Sequence, residues 1–297
     1  MIRTIANKPP IAIVLSIAII AVIAILAAGC GQGTKMITLR FKFTPGEKLV
    51  YDLTQKTNSE ATEGDSVISK GTHEIKMTIE DVVRRMVDDS TAEVFESSSW
   101  KFTTIIKNDS NIVDTNEYNR NMVLYTNPNG KVVDVEFTSE MSESSMEYMK
   151  NYIDQAMPVF PSGEHSQGYS WTQTTKVLLD EDPVEASTTY EIKSFAREQG
   201  YDCVVISYDG NLVIPVKPNP KDSIQRSGVN RIQITGMMYF AYKEGITVSN
   251  RDRWVVKGTR KEVTDGKTKN YKILYEGDST MLLTERKMVD PAATTEN

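Results

Sequence analysis

The chain is poor in the residues that build disulfide-rich, metal-binding or nucleic-acid-binding proteins. Its 297 residues include only two cysteines and two histidines. Two cysteines are too few for a disulfide-rich scaffold, and two histidines leave little for an imidazole metal site. Basic residues are in the minority, with 34 Lys and Arg against 40 Asp and Glu and a net charge of −6. This balance excludes a general binder of the nucleic-acid backbone, which needs clustered cations.

Catalytic and metal-binding motifs are also lacking. Residues 168–172 come nearest to a Gly-x-Ser-x-Gly elbow but lack the second glycine. Cys203 alternates with apolar residues and is predicted to be a small buried hydrophobe. His73 and His165 have no second His or Cys at metal-ligand spacing, and a calcium loop starting at Asp109 fails at two ligand positions and at its required glycine. We therefore expect no enzyme activity and assign no catalytic residue, metal ligand or cofactor.

Apolar residues are concentrated near the N-terminus. Residues 11–28 form one apolar run that only Ser16 interrupts, and Arg3 and Lys8 precede it. A basic segment followed by an apolar run that ends in small residues predicts a secretory signal. Since the run is longer than usual for a signal, an uncleaved transmembrane anchor is the alternative.

The end of this run favours the cleaved signal. Leu26-Ala27-Ala28-Gly29-Cys30 resembles the lipobox of bacterial lipoproteins. The resemblance implies that the sulfur of Cys30 carries a diacylglyceryl group. It also implies that signal peptidase II cuts between Gly29 and Cys30, and that the new amine receives an acyl chain such as palmitate. We therefore expect an exported protein that its lipid anchors in the membrane.

Two features of the following segment refine this location. Gly31 follows the cysteine, whereas an Asp there retains many lipoproteins at the inner membrane. By this resemblance the outer membrane or the cell surface is favoured over the inner membrane. The tether before the first strand signal is only residues 31–35, which span at most about 18 Å. The folded part is thus expected to lie close to the membrane surface.

From Met36 onward the hydrophobic pattern has a period of two. Ile37, Leu39, Phe41 and Phe43 alternate with polar residues, and similar alternation recurs to about residue 283. Such alternation is typical of antiparallel strands that have one apolar and one solvated face. Turns rich in Gly, Asn and Asp are predicted at residues 127–130, 208–211, 243–245, 264–267 and 276–278. The expected fold is mainly β, a curved antiparallel sheet or an open barrel in two related halves.

One segment departs from this pattern. Residues 139–157 place Met, Tyr, Ile and Ala at helical spacing, with Ser139 as N-cap and Pro158 at the end. We predict a helix packed between the two halves, the second of which opens with a Pro-Ser-Gly-Glu segment like the Thr-Pro-Gly-Glu of the first. The predicted organisation is a signal peptide (1–29), a lipidated N-terminus with a short tether (30–35), a first β lobe plus helix (36–157), a second β lobe (158–290) and a disordered tail (291–297).

The body resembles a broad group of uncharacterised secreted bacterial lipoproteins. The similar elements are Gly46-Glu47 with Tyr51, an Asn-Gly-Lys-Val-Val strand at residues 129–133, a Pro-to-Trp entry at residues 161–171 and a long hairpin at residues 236–248. The resemblance implies a secreted all-β lipoprotein. Because the proteins of this group are uncharacterised, the resemblance implies no activity.

Two functions remain open at this level. The first is a non-enzymatic binding or carrier module for a hydrophobic ligand, suggested by aromatic residues on the apolar side of the strands, although the same residues could simply fill a core. These residues are Phe41, Phe43, Tyr169, Trp171, Phe240, Tyr242 and Trp254. The second is a structural or assembly lipoprotein of the cell envelope that contacts other proteins through exposed sheet edges. The expected partners are the membrane, through Cys30, and a hydrophobic ligand or an envelope protein, with no nucleic acid.

Overall fold

The computed structural model describes residues 35–106, 112–138, 153, 157–179, 182–218, 224–264 and 266–291. From Ile37 onward the chain forms one compact unit. The predicted signal peptide, its cleavage position at Gly29 and the predicted lipidation position Cys30 lie outside the described residues. None of the helices in the described ranges is long and apolar enough to cross a membrane.

Thirteen strands account for most of the described chain. Their bounds are β1 Ile37–Thr38, β2 Glu47–Glu63, β3 Ser66–Asp88, β4 Thr91–Ile106, β5 Ile112–Thr126, β6 Val132–Phe137, β7 Glu164–His165, β8 Ser170–Leu179, β9 Asp182–Glu198, β10 Tyr201–Val216, β11 Gln225–Ala241, β12 Ile246–Thr264 and β13 Lys267–Met288. Strands β1 and β7 form a small separate pair. The other eleven strands form one antiparallel sheet.

This sheet consists of two meanders joined at their centre. Its strand order is β6-β5-β4-β3-β2-β13-β12-β11-β10-β9-β8, so each strand pairs with its neighbour in sequence except at the β2–β13 seam. Within the described residues β6 and β8 are the two edges, and the sheet does not close into a barrel. The predicted mainly-β, antiparallel fold is confirmed. The relatedness of the two halves stays a prediction.

The principal hydrophobic core lies on one part of the sheet. The segment that carries Phe41 packs on β10 and β11, and Phe41 stacks on Phe160 at 5.1 Å between ring centroids. Phe240 meets both rings edge-on, at 5.3 Å and 4.8 Å. Full burial of each aromatic side chain contributes about 1.5–3 kcal/mol. The alternation at Ile37–Phe43 therefore marks a buried segment, although main-chain pairing there is limited to Ile37–Thr38.

The predicted helix at residues 139–157 lies outside the described residues except for Ile153 and Met157. Ile153 is buried against Met122 of β5 and against Val132 and Val135 of β6. Met157 is partly buried next to the same cluster. The burial of these two residues agrees with the apolar pattern that motivated the prediction, while the helix itself stays a prediction.

Two of the predicted turns are wrong. Residues 208–211 lie inside β10, and residues 276–278 lie inside β13. Their glycines serve close packing instead of a reversal of the chain. A Cβ atom at Gly210 would lie 2.8 Å from the Ile234 side chain, and one at Gly277 would lie 2.6 Å from the Trp254 ring. Glycine inside a strand is typical of such a close approach.

Residues 60–71 are mostly acidic or polar, yet nearly all of them lie in strands. β2 extends to Glu63 and β3 begins at Ser66. Only Gly64 and Asp65 form the turn between them, and Gly64 has a φ of 59°. A two-residue hairpin turn with a left-handed glycine follows the twist of its strands. The polar side chains in this range therefore occupy long strand ends.

Candidate functional site: an apolar face on the open part of the sheet

The outer part of the sheet, away from the principal core, has two chemically different faces. Along β10, Leu212 and Ile214 are half-buried, whereas the alternating residues Val213 and Pro215 are exposed. Successive side chains of a strand point to opposite faces, and residues directly paired across antiparallel strands share a face. The register of the sheet therefore assigns every outer residue to one face or the other.

One face is apolar across four neighbouring strands. Leu212 pairs with Ile232, Ile232 with Val256, and Val256 with Tyr275. With strands about 4.8 Å apart, this row runs about 14 Å from β10 to β13. The next rows on either side add further apolar side chains. We call the set the apolar face: Leu212, Ile214, Ile232, Ile234, Trp254, Val256, Ile273 and Tyr275.

The other face carries charge. Arg231 pairs with Lys257, and Arg253 pairs with Asp278, which in turn pairs with Lys56. Most of these side chains are exposed. We call this surface the charged face. It is the ordinary solvated side of an antiparallel sheet.

None of the apolar-face residues belongs to a buried core among the described residues. They are half-buried by one another, and Tyr275 remains 37% exposed. A continuous apolar surface of this kind is uncommon on monomeric soluble proteins and marks interaction sites. The arrangement is suited to contact with another apolar molecule.

A polar network borders the apolar face on the side of the principal core. Tyr208 donates a hydrogen bond from Oη to Asn250 Oδ1 at 3.0 Å, and Ser279 donates one from Oγ to Asp252 Oδ2 at 2.8 Å. Burial raises the pKa of the Asp252 carboxyl. Tyr208, Asp252 and Ser279 lie in one cross-strand row, with Gly236 between the first two. This row separates the packed core from the open apolar face.

Most of the aromatic residues predicted to face a ligand have packing roles instead. Phe41 and Phe240 are buried in the core, and Phe43 packs beside them. Trp171 stacks on Tyr190 at 5.1 Å and donates a hydrogen bond from Nε1 to the Val159 carbonyl at 3.1 Å.

Of the remaining three aromatics, two make ring contacts with other side chains and one belongs to the candidate site. Tyr169 stacks on His165 at 3.9 Å, and Tyr242 meets Phe195 edge-on at 6.1 Å. Trp254 lies on the apolar face. The aliphatic residues of that face were missed as candidate ligand contacts. Their alternation was visible at Ile232 and Ile234, but alternation alone does not distinguish a covered face from an open one.

The other candidate residues occupy structural positions. Cys203 is 1% exposed, and burial raises the pKa of its thiol to about 11. The His73 ring nitrogens lie 3.1 Å from Thr104 Oγ1 and 3.4 Å from Ser59 Oγ. His165 is buried. Across the described part of the chain, no three His, Cys, Asp or Glu side chains are grouped so that they could hold a metal ion.

Comparison with known proteins supports the fold and assigns no function. No family model matches the chain, and no curated protein matches its sequence. A structure of lipovitellin, solved to describe lipid–protein interactions in that protein, aligns with a TM-score of 0.50 at 10% identity. The alignment covers 84% of this chain, which spans about a quarter of that one, 26%. The similarity therefore concerns the fold of a large β-sheet region.

Two bacterial proteins, one of them an outer membrane channel, align less well. A channel from Pseudomonas putida F1 has a TM-score of 0.23 at 9% identity, with 82% of this chain and 97% of that chain covered. OccK7 (OpdD) from Pseudomonas aeruginosa has a TM-score of 0.22 at 5% identity, with 81% and 100% covered. Scores at this level carry no argument about fold or location.

Proposed function

We propose that the chain is a non-enzymatic binding module whose apolar face holds a lipid-like hydrophobic ligand. The observation that carries the proposal is the unbroken apolar row from Leu212 to Tyr275, which no buried core of the described residues includes. The fold similarity to lipovitellin, a protein studied for its lipid–protein interactions, supports the choice of a lipid. The chemistry required is burial of apolar surface, and no reacting group is needed.

Burial of apolar surface on this face supplies enough free energy to bind a hydrophobic ligand. Removal of roughly 300 Å² of apolar surface from water at about 25 cal/mol per Å² is worth about 7 kcal/mol before the costs of association. An extended acyl chain lying along the row between β10 and β13 would contact side chains of all four strands. Half-burial of these side chains by their neighbours lowers the ordering cost on binding.

The proposed location follows from the N-terminal sequence. We propose that lipid on Cys30 anchors the exported chain at the outer membrane or cell surface, as the lipobox resemblance implies. Two or more acyl chains hold a protein stably, whereas one gives only marginal binding. An anchor of this kind would keep the apolar face within reach of membrane lipids.

Native mass spectrometry of the full chain, after mild extraction from its own cells, tests ligand binding. Ile214→Asp places a charge on the apolar face, whereas Val213→Asp places the same charge at the next residue on the charged face. We expect the unmodified protein and the Val213→Asp variant to carry an additional lipid mass, and the Ile214→Asp variant to lose it. A consistently ligand-free unmodified protein, or equal loss in both variants, would exclude the proposal.

A second function is supported by the edges of the sheet. Strand β8 has no partner on its outer side among the described residues, so its free N–H and C=O groups can accept a strand from another protein. In this alternative the chain is a structural or assembly lipoprotein of the envelope. Crosslinking in cells from an alkyne- or photo-reactive residue at Thr172 on this edge tests it. A stoichiometric partner would favour assembly, and repeated absence of one would count against it.

A further inference from the structure

A cationic cluster lies on the charged face, near the β2–β3 turn. Here a depression of about 630 Å³ opens between β11, β12, β13 and the end of β2. Its lining includes the cations Arg231, Lys257 and Lys272, on a floor that contains Val229 and Leu274. The cluster is unexpected on a chain with a net charge of −6.

Two of these cations are placed directly opposite each other. Arg231 on β11 pairs with Lys257 on β12, so their Cβ atoms are about 5 Å apart. Lys272 on β13 pairs with Thr259, two residues along β12 on the same face. Like charges at opposed positions of a sheet destabilise it. None of the three cations forms an ion pair within the described residues.

The acids of the lining do not neutralise this charge. Glu60 forms an ion pair with Lys70, at 2.8 Å between the carboxylate and Nζ. Asp65, in the turn between β2 and β3, is the other acid of the lining. The depression therefore holds an excess of positive charge without a protein partner.

An adjoining depression on the same part of the sheet is also lined by cations. It measures about 430 Å³ and shares Asp65, Thr259 and Lys272 with the first. It adds Lys261, which lies two residues beyond Thr259 on the same face of β12. Arg260 also lines this depression, but it stands in the cross-strand row of Gly228 and Tyr271 and so belongs to the apolar side of the sheet. Lys261 therefore extends the cationic cluster along the charged face.

From this geometry we infer an anion-binding site for phosphate-bearing groups, centred on Arg231, Lys257 and Lys272. Three neighbouring cations, with Lys261 alongside, match the several acceptor oxygens and multiple charge of a phosphate better than a single carboxylate. The site lies on the charged face, so it is independent of a hydrophobic ligand on the apolar face. The phosphate could belong to a free polyphosphate or to a phosphorylated glycerol headgroup.

Calorimetric titration of the detergent-solubilised full chain tests this site, with inorganic pyrophosphate and glycerol 3-phosphate as separate probes. The variant is Arg231→Gln/Lys257→Gln. It should fold, because it relieves the repulsion between opposed cations. The control, Lys76→Gln/Lys193→Gln, removes the same charge at two positions where each lysine is paired with an acid.

We expect at least one probe to bind the unmodified protein, with an affinity that falls as salt is added. The variant should bind at least tenfold more weakly, and the control should bind as the unmodified protein does. Binding of pyrophosphate alone would identify a site for free polyphosphates, and binding of glycerol 3-phosphate alone would identify a headgroup site. No binding of either probe at low salt, or equal weakening in the control, would overturn the inference. Neither outcome depends on lipid occupancy of the apolar face.

Discussion

The indole ring of Trp254 lies over Gly277, its paired residue on the neighbouring strand. A Cβ atom at position 277 would lie 2.6 Å from Trp254 Cζ2 and 2.7 Å from the Lys56 carbonyl oxygen. The two residues come from β12 and β13 and together form part of the apolar face. An aromatic ring over a glycine covers backbone that would otherwise face solvent. The glycine is therefore part of the packing of this face.

Substitution of this glycine should destabilise the sheet. Gly277→Ala forces the Trp254 ring or the β2 backbone to move, and overpacking of this kind costs about 1–3 kcal/mol. Urea unfolding at equilibrium measures the loss. Glu276→Ala, at the exposed adjacent residue, should change the free energy of unfolding by no more than about 0.5 kcal/mol. Equal effects of the two substitutions would contradict this packing role.

A buried ion pair joins the two meanders at their seam. Glu47 of β2 is 4% exposed and accepts a hydrogen bond from Arg286 Nε of β13 at 2.7 Å. Arg286→Gln leaves the carboxylate buried without its cation, so we expect a loss of about 3–5 kcal/mol in urea unfolding. Lys243→Gln breaks the Lys243–Asp202 pair, both of whose side chains are more than half exposed. That control should change the free energy of unfolding far less than Arg286→Gln does, because solvent screens an exposed pair.

Stability should depend on pH through Asp81. Burial and the nearby Glu96 carboxylate raise the pKa of Asp81 well above its usual value. Its Oδ1 atom is buried without a hydrogen-bond partner among the described residues. Since the folded state favours the protonated form, the contribution of Asp81 is fully present below about pH 4 and is lost as pH rises through the folded pKa.

Asp81→Asn removes this ionisation. The variant should be more stable than the unmodified protein at neutral pH, and its advantage should shrink toward pH 4. Chemical unfolding at a series of pH values measures the difference. Asp52→Asn, at an exposed position of β2, is measured in the same series as the control. A constant difference between Asp81→Asn and the unmodified protein across the series would be inconsistent with a raised pKa.

The Cys203 thiol should be unreactive in the folded protein. It is 1% exposed, and burial raises its pKa to about 11, so little thiolate exists at pH 8. Ellman's reagent should modify it rapidly in urea and more than a hundredfold more slowly without urea. Cys203→Ser identifies the portion of the signal that comes from this residue. Rapid labelling of Cys203 in the native state would contradict its assignment as buried packing.

The proposed lipid anchor can be tested by removing one atom, the sulfur of Cys30. Cys30→Ser removes the sulfur that the diacylglyceryl group needs, so we expect loss of acyl label and accumulation of the unprocessed chain. Metabolic labelling with an alkyne fatty acid, followed by fractionation of cells, measures both results. Cys203→Ser is the matched control and should be labelled and processed normally. A Cys30→Ser protein that is still processed and membrane-bound without label would refute the lipoprotein assignment.

The strand content was predictable because alternation is a local property. Phe41 stands between the charged residues Arg40 and Lys42, and it is buried in the structure while they are exposed. Turn prediction was less successful. Gly245 lies in a turn as expected, whereas Gly210 and Gly277 lie within long strands. Glycine permits both a left-handed turn and a close side-chain approach, and the local sequence does not distinguish them.

The alternating pattern alone predicts an antiparallel β protein with one apolar side to its strands, and the sequence carries the lipobox-like segment ending at Cys30. Which apolar residues are buried in a core depends on tertiary packing. Phe41 and Trp254 both lie in runs with an apolar residue at every second position, yet Phe41 packs in the core and Trp254 lies on the apolar face, outside the cores of the described residues. Cross-strand register likewise opposes Arg231 to Lys257. Both outcomes depend on pairing between segments distant in sequence, which hydrophobic period alone does not specify.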